Sequence, residues 1–312
     1  MIVVIAGGVG AARFLGGLVG VVDPSEITVV VNTGDDTVFH GLHVSPDIDT
    51  VTYTVAGAID PERGWGLAGE SWRAMEALGR YASEGALTWF NLGDRDLATH
   101  LWRTGRLREG ASLSEVTAQL GKAWGLGMTM IPMSDDPVST FVETSEGLLP
   151  FQEYFVKRQH SVAISNVVLH GIDAAKPAPG VIEAIAAADA IVIAPSNPLV
   201  SIGPVLAIDG IRQALLARRD RVVAISPIIA GAALKGPADR MLSELGHDPS
   251  VIGVARLYRD VAKTLIIDTA DTASADLVRA EGMACIVTET IMAKPGVGHE
   301  LARQALAAAR RA

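Results

Sequence analysis

The chain has 312 residues, with 26 Lys and Arg against 35 Asp and Glu, a formal charge of −9. That balance excludes broad nucleic-acid binding, which needs a basic surface. The content of 49% hydrophobic and 20% charged residues excludes disorder and supplies a sizeable core. A single cysteine, Cys285, excludes an intramolecular disulfide framework and a cysteine-cluster metal site.

Ile2 to Ala6 is a short β-branched run that ends in Gly-Gly, followed by a helical stretch from Ala11 to Val19 and a second apolar run from Ile27 to Val31. Strand, glycine turn, helix and strand make a βαβ unit, and the absence of alternation marks parallel strands buried on both faces. From Ser45 to Ala123 the pattern turns helical, with helices expected over 47–58, 70–82, 94–104 and 113–124, the last opened by Ser112 and Glu115 at capping-box spacing. A hairpin is expected from Val138 to Phe151. Strands then follow at 162–169, 190–194, 222–226, 265–268 and 284–288, alternating with helices at 180–188, 208–217, 238–245 and 298–310. This alternation predicts an α/β, Rossmann-like, doubly wound and mostly parallel sheet. Its core takes residues 1–44 and 160–312, and 45–159 forms a mainly helical insertion with a hairpin over the active site.

The most apolar stretch, Val181 to Val205, is broken by Glu183, Asp189 and three prolines, whereas a membrane span needs ~20 mostly apolar residues. The N-terminus lacks a basic leader. The expectation is a cytoplasmic protein with neither a membrane nor a nucleic-acid partner.

The chemistry-bearing segments cluster after predicted strands. Gly7, Gly8 and Gly10 stand where a strand hands over to a helix, a place suited to phosphate because glycine lets the backbone approach and the helix N-terminus offers free amides. Arg13 replaces the third glycine of a dinucleotide fingerprint, and no Walker A lysine follows. Asn32-Thr33-Gly34-Asp35-Asp36 follows the second strand, either as a ribose-binding acidic loop or as a solvated Asx turn. In Ser45-Pro46-Asp47-Ile48-Asp49-Thr50 the acids either serve the helix dipole or hold a hard cation such as Mg2+. Gly93-Asp94-Arg95-Asp96, with His100 one turn on, is either a capping cluster or an arginine held by acids to grip a ligand. Ser134-Asp135-Asp136-Pro137 is a further polar loop. Ser196 and Asn197, in Ala194-Pro195-Ser196-Asn197-Pro198, and the segment Ser226 to Gly231 follow later strands and suit either a base or ribose site or a rigid connector. Cys285 reads as core. The histidines outside the Asp94–His100 segment show no metal-ligand spacing, and no Gly-x-Ser-x-Gly elbow is present.

Taken in order, GGVG, NTGDD, SPDIDT, GDRDLATH, MSDDPVST, APSNPLVSIGP and SPIIAG resemble the 2-phospho-L-lactate transferase family over Gly7 to Gly231. The resemblance implies a Mg2+-dependent transferase of coenzyme F-420 biosynthesis. It would move a phospho-organic-acid group from a guanosine diphosphate ester to the ribityl hydroxyl of the deazaflavin Fo, releasing GMP, as a homodimer. It further implies that Asp49 and Arg95 bind Fo, with Asp94 and Asp36 nearby. Gly7, Gly8 and Gly10 would lie by the donor phosphates, and Ser196 and Asn197 near guanosine. Asp47 and Asp49 would hold the metal and serve catalysis, through charge neutralisation and a lowered hydroxyl pKa. The acid on the donor is lactate, enolpyruvate or glycerate; the Ala- and Arg-rich, Lys-poor composition of a bacterial high-GC sequence tilts the reading to enolpyruvate. Two other readings compete. One is a non-catalytic nucleotide-sugar-binding regulator of the same fold, which lacks the SPDIDT and GDRDLATH pair. The other is an NAD-dependent oxidoreductase, disfavoured by Arg13.

Overall fold

The computed structural model describes residues 1–310. β1 (Ile2–Ala6) and β2 (Ile27–Val31) are buried at every position, and α1 (Gly8–Leu18) connects them. A small hairpin, β3 (Thr37–Phe39) and β4 (Leu42–Val44), leads into α2 (Pro46–Val55), α3 (Arg73–Leu78), α4 (Asp96–Arg108) and α5 (Leu113–Ala123). β5 (Thr129–Pro132) precedes three antiparallel strands, β6 (Ser139–Thr144), β7 (Gly147–Pro150) and β8 (Ile164–His170). Next come α6 (Val181–Ala187), β9 (Ala190–Ile193), α7 (Gly203–Ala207), α8 (Ile211–Ala217) and β10 (Val222–Ile225). A second small hairpin, β11 (Ile228–Ile229) and β12 (Ala232–Ala233), is followed by α9 (Ala238–Glu244), α10 (Val251–Tyr258), β13 (Thr264–Asp268), α11 (Ala275–Ala280), β14 (Ala284–Thr288) and α12 (Val297–Arg310).

The central sheet has seven strands, all parallel, in the order β14-β13-β10-β9-β1-β2-β5. The chain runs outward from β1 through β2 to β5, then returns to the other side of β1 and runs outward again from β9. β1 is therefore the pivot, and ligands of such sheets bind beyond the strand ends at that reversal. Parallel strands need apolar side chains on both faces, which is why β1, β2, β9 and β10 show no alternation. Val3 and Ile5 face a core layer under α6, α8 and α10, whereas Ile2 and Val4 face α1 and α12. α1 and α12 cross at glycines: a Cβ on Gly17 would lie 2.5 Å from the Gly298 carbonyl, so only glycine permits this contact.

The expected doubly wound α/β fold is present. Two strand assignments differ from the pattern reading. β8, expected to resume the parallel alternation, pairs antiparallel with β6. β5, at the end of a stretch read as helical, is an edge strand of the main sheet, with Val29 opposite Met130 and Val30 opposite Ile131. Its four residues are too few to show a period. The small β-sheet encloses its own cluster, built from Val142, Phe151, Tyr154 and Met241, while Phe39, Val44, Met75 and Leu92 pack beneath the helical segment. Among the described residues no helix is long and apolar enough to cross a membrane.

Candidate active site

A cleft of about 550 Å³ opens at the pivot, between the turn after β1 and the loop after β9. That size suits a substrate-sized ligand. Its floor is the glycine turn. Gly8 has φ +71°, a conformation open to glycine. A Cβ on Gly10 would lie 2.0 Å from the Pro195 carbonyl oxygen, and one on Gly7 would lie 2.8 Å from Ser201 Cβ. The two strand-end loops thus touch backbone to backbone, and the glycines are required by packing whatever the ligand. Ser196 is buried with no partner for its hydroxyl, and Asn197 accepts the Leu199 amide at 2.9 Å; both line the cleft.

α2 delivers the acids. Pro46 opens the helix, which places Asp47 and Asp49 in its first turn. Residues two apart on a helix do not face each other, and these two carboxylates have separate partners. Asp47 accepts hydrogen bonds from the Gly8 amide at 2.7 Å and from Asn32 Nδ2 at 2.9 Å. Burial pushes its carboxyl up to about 6, against those hydrogen bonds and with help from the nearby Asp36 charge. Burial together with the charges of Asp47 and Asp36 pushes Asp35 well above the usual carboxylate range. Asp35 Oδ1 and Asp36 Oδ1 are buried with no hydrogen-bond partner, while Asp36 Oδ2 accepts from Ser45 Oγ at 2.6 Å and lies 2.9 Å from His43 Nε2. Asp36 faces a second cavity behind the main cleft, and Asp35 lines both.

Asp49 forms a two-pronged ion pair with Arg103, whose side chain is 1% exposed; Nη1 donates to Oδ2 at 3.1 Å and Nη2 to Oδ1. Burial pushes the Asp49 carboxyl up against the opposing pull of Arg103 and His100. His100 lies between two acids, with Nδ1 3.7 Å from Asp49 and Nε2 3.2 Å from Asp96. Tyr53 donates to Asp96 at 2.6 Å. Burial works against ionisation of Asp96, yet His100 and Tyr53 hold its carboxyl below the usual range. Asp49, Asp96 and His100 present ligand atoms within 4.8 Å of one another, a constellation able to hold a metal ion. Asp47 is not part of it.

Asp94 and Arg95 lie outside this cleft. Asp94 accepts the Ala74 amide at 3.0 Å and the Arg73 amide at 3.1 Å, so it caps α3. Arg95 is exposed and donates to the Ala68 carbonyl at 2.6 Å, while Glu70 caps the start of α4. Arg103 and Tyr53 are the site residues that the motifs did not flag: a single arginine on an amphipathic helix carries no signal of burial until its partner is in place. The outer walls are aromatic, with Trp65, Trp89, Phe90, Phe151 and Phe155 around the opening. Phe151 stacks on Phe155 at 5.5 Å.

Fold and cleft define a Rossmann-like α/β protein with a cavity at the sheet's reversal point that combines a glycine turn with buried acids. The profile of the family described as 2-phospho-L-lactate transferase CofD matches residues 2–294, and the chain belongs to that family of transferases. It is 46% identical to a phosphoenolpyruvate transferase of Kitasatospora aureofaciens, over 99% of this chain and 97% of the relative. It is 44% identical to a phosphoenolpyruvate transferase of Streptomyces griseus over 98% and 97% of the two chains. A solved structure, protein BH3568 of Bacillus halodurans, superposes over 98% of both chains with a TM-score of 0.64 at 18% identity, a likeness of fold alone.

Proposed function

We propose that this protein transfers a phosphoenolpyruvyl group, or its 2-phospholactyl counterpart, from a guanosine diphosphate ester to the ribityl hydroxyl of Fo in coenzyme F-420 biosynthesis. The enolpyruvyl donor is favoured by the names of the relatives at 46% and 44% identity. The observation that carries the reading is the cleft itself, lined by a glycine turn and buried carboxylates together with the aromatic pairs Trp89–Phe90 and Phe151–Phe155. A diphosphate fits the glycine turn and a planar tricycle fits the aromatic pairs.

The hydroxyl oxygen attacks the phosphorus that bears the organic acid, the bond from that phosphorus to the bridging oxygen breaks, GMP leaves with that oxygen, and the hydroxyl proton is released to solvent. Amides of the glycine turn stabilise charge on the phosphoryl oxygens. The unpartnered oxygen of Asp35 near the buried Asp47 suits a divalent cation, because two buried acids repel one another until a cation compensates them. Asp35 and Asp47 would hold Mg2+, with Asp49, Asp96 and His100 as the alternative ligand set; each oxygen of Asp49 accepts one bond from Arg103 and keeps a second lone pair. The ion would supply charge neutralisation and a lower hydroxyl pKa. Asp49, fixed by Arg103, orients the ribityl hydroxyls through its carboxylate oxygens, and Arg95 serves the same acceptor from the rim. The aromatic walls exclude water from the transfer.

The test is a turnover assay of purified protein with Fo, Mg2+ and, separately, the enolpyruvyl, lactyl and glyceryl guanosine diphosphates, with products read by mass. One dominant product that disappears with EDTA supports the proposal. No turnover with any donor, from folded protein that still binds a nucleotide sugar, replaces it with the regulator reading.

A further inference from the structure

Two cations meet at the mouth of the cleft in a chain of net charge −9. Arg13 projects from α1 one turn beyond Gly10, and Lys235 lies on the segment that leaves β12; both line the cleft. Neither forms an ion pair with a carboxylate among the described residues, whereas the neighbouring Arg63 pairs with Asp60 at 3.0 Å. Their tips converge on Gly64. A Cβ there would lie 2.8 Å from Lys235 Nζ, 4.0 Å from Arg13 Nη2 and 3.6 Å from Val9 Cγ1 in the glycine turn. The Lys235 ammonium donates to the Arg63 carbonyl at 3.2 Å, leaving further donors free.

The segment carrying Lys235 is held in place from the far side. The β11–β12 turn is Ala230-Gly231, with φ +50° and +78°, the two-residue geometry in which alanine is unusual. The buried Asp271 carboxylate accepts the Ala230 amide with both oxygens, at 3.2 and 3.0 Å. An anchored hairpin, an ammonium at its base and a guanidinium opposite it, neither paired with a carboxylate, beside the glycine turn, make a site for an anion with two charged ends.

We propose that Lys235 and Arg13 form a clamp that closes on the diphosphate of the nucleotide donor, with Lys235 arriving from a part of the chain 222 residues after Arg13 (235 − 13). The proposal rests on the donor reading above. It is tested by calorimetric titration of the full chain and its Lys235→Gln and Lys235→Arg variants with GDP, guanosine and inorganic pyrophosphate. Lys235 is exposed, so the variants should fold with unchanged melting temperature. The expected result is GDP and pyrophosphate binding weakened about tenfold or more in Lys235→Gln, largely restored in Lys235→Arg, with guanosine binding unchanged. GDP affinity in Lys235→Gln within twofold of the parent overturns the clamp. If the parent binds pyrophosphate but not GDP, and Lys235→Gln loses pyrophosphate, the clamp stands and the guanosine donor falls. If the parent binds neither, the clamp falls.

Discussion

Asp47 Oδ1 accepts the Gly8 amide at 2.7 Å, so a carboxylate from α2 occupies the N-terminus of α1, where a ligand phosphate would otherwise sit. A glycine turn offers its amides to whatever anion is nearest, and in the free protein that anion is a side chain 39 residues away. On the proposed reading, donor binding would have to exchange one anion for another. A cation held by Asp47, as proposed above, would make that exchange feasible by drawing the carboxylate charge away from the amide.

The raised Asp47 carboxyl sets a pH signature. Its folded value is about 6 against an ordinary 3.8, so between those limits the folded state holds a proton that the unfolded state has lost. Stability of the metal-free protein should fall as pH rises through that window, by up to about 3 kcal/mol from this group. The upward shift of Asp35 adds in the same direction. Urea unfolding at pH 4.5 and pH 7.5 in EDTA checks this, and added Mg2+ should restore stability only at the higher pH. A flat profile would show that these acids are solvated.

The Asp49–Arg103 pair should be costly to break from one side. Arg103→Met leaves a buried carboxylate uncompensated and is expected to lose ~3–5 kcal/mol by urea unfolding, while Asp49→Leu combined with Arg103→Met recovers much of that loss. Arg103→Lys cannot reproduce the two-pronged contact and should fall between. Asp49→Asn keeps an acceptor for Arg103 but loses the counter-charge, so it should lose part of that stability and lower turnover at least about 100-fold (~2.7 kcal/mol of barrier) where still folded. Near-normal turnover from folded protein with metal affinity unchanged would remove Asp49 from catalysis.

Gly10→Ala puts a methyl group 2.0 Å from the Pro195 carbonyl oxygen, so the two loops must separate. A stability loss of ~1–3 kcal/mol is expected, with loss of nucleotide binding. Gly105→Ala, at a position with nothing within 4 Å, is the control and should be neutral or stabilising. Equal melting temperatures for Gly10→Ala and the parent would contradict the contact.

Arg95 tests whether the rim takes part. Its guanidinium holds the Ala68 carbonyl outside the cleft. Arg95→Ala should raise the KM for Fo about tenfold (~1.4 kcal/mol) and leave the donor KM unchanged. An unchanged Fo KM would confine the acceptor to the aromatic interior.

Much was legible in the sequence because it is local. The apolar runs of β1, β2, β9 and β10 carry the parallel strand in their composition, and Gly7–Gly10 marks a strand-to-helix turn by residue type alone. Ser112 and Glu115 form the capping box that their spacing predicts. The ordered motifs also identify the family. What the chain alone could not reveal depends on distant partners. That Asp47 faces the glycine turn while Asp49, two residues on, faces Arg103 follows from the 100° step of α2 together with the docking of α4. Whether β8 belongs to the main sheet or the small one is decided by pairing with β6, since both sites accept an apolar strand. Local pattern determines which elements form. Only packing decides which buried charge meets which, because that energy arises between residues the sequence keeps far apart.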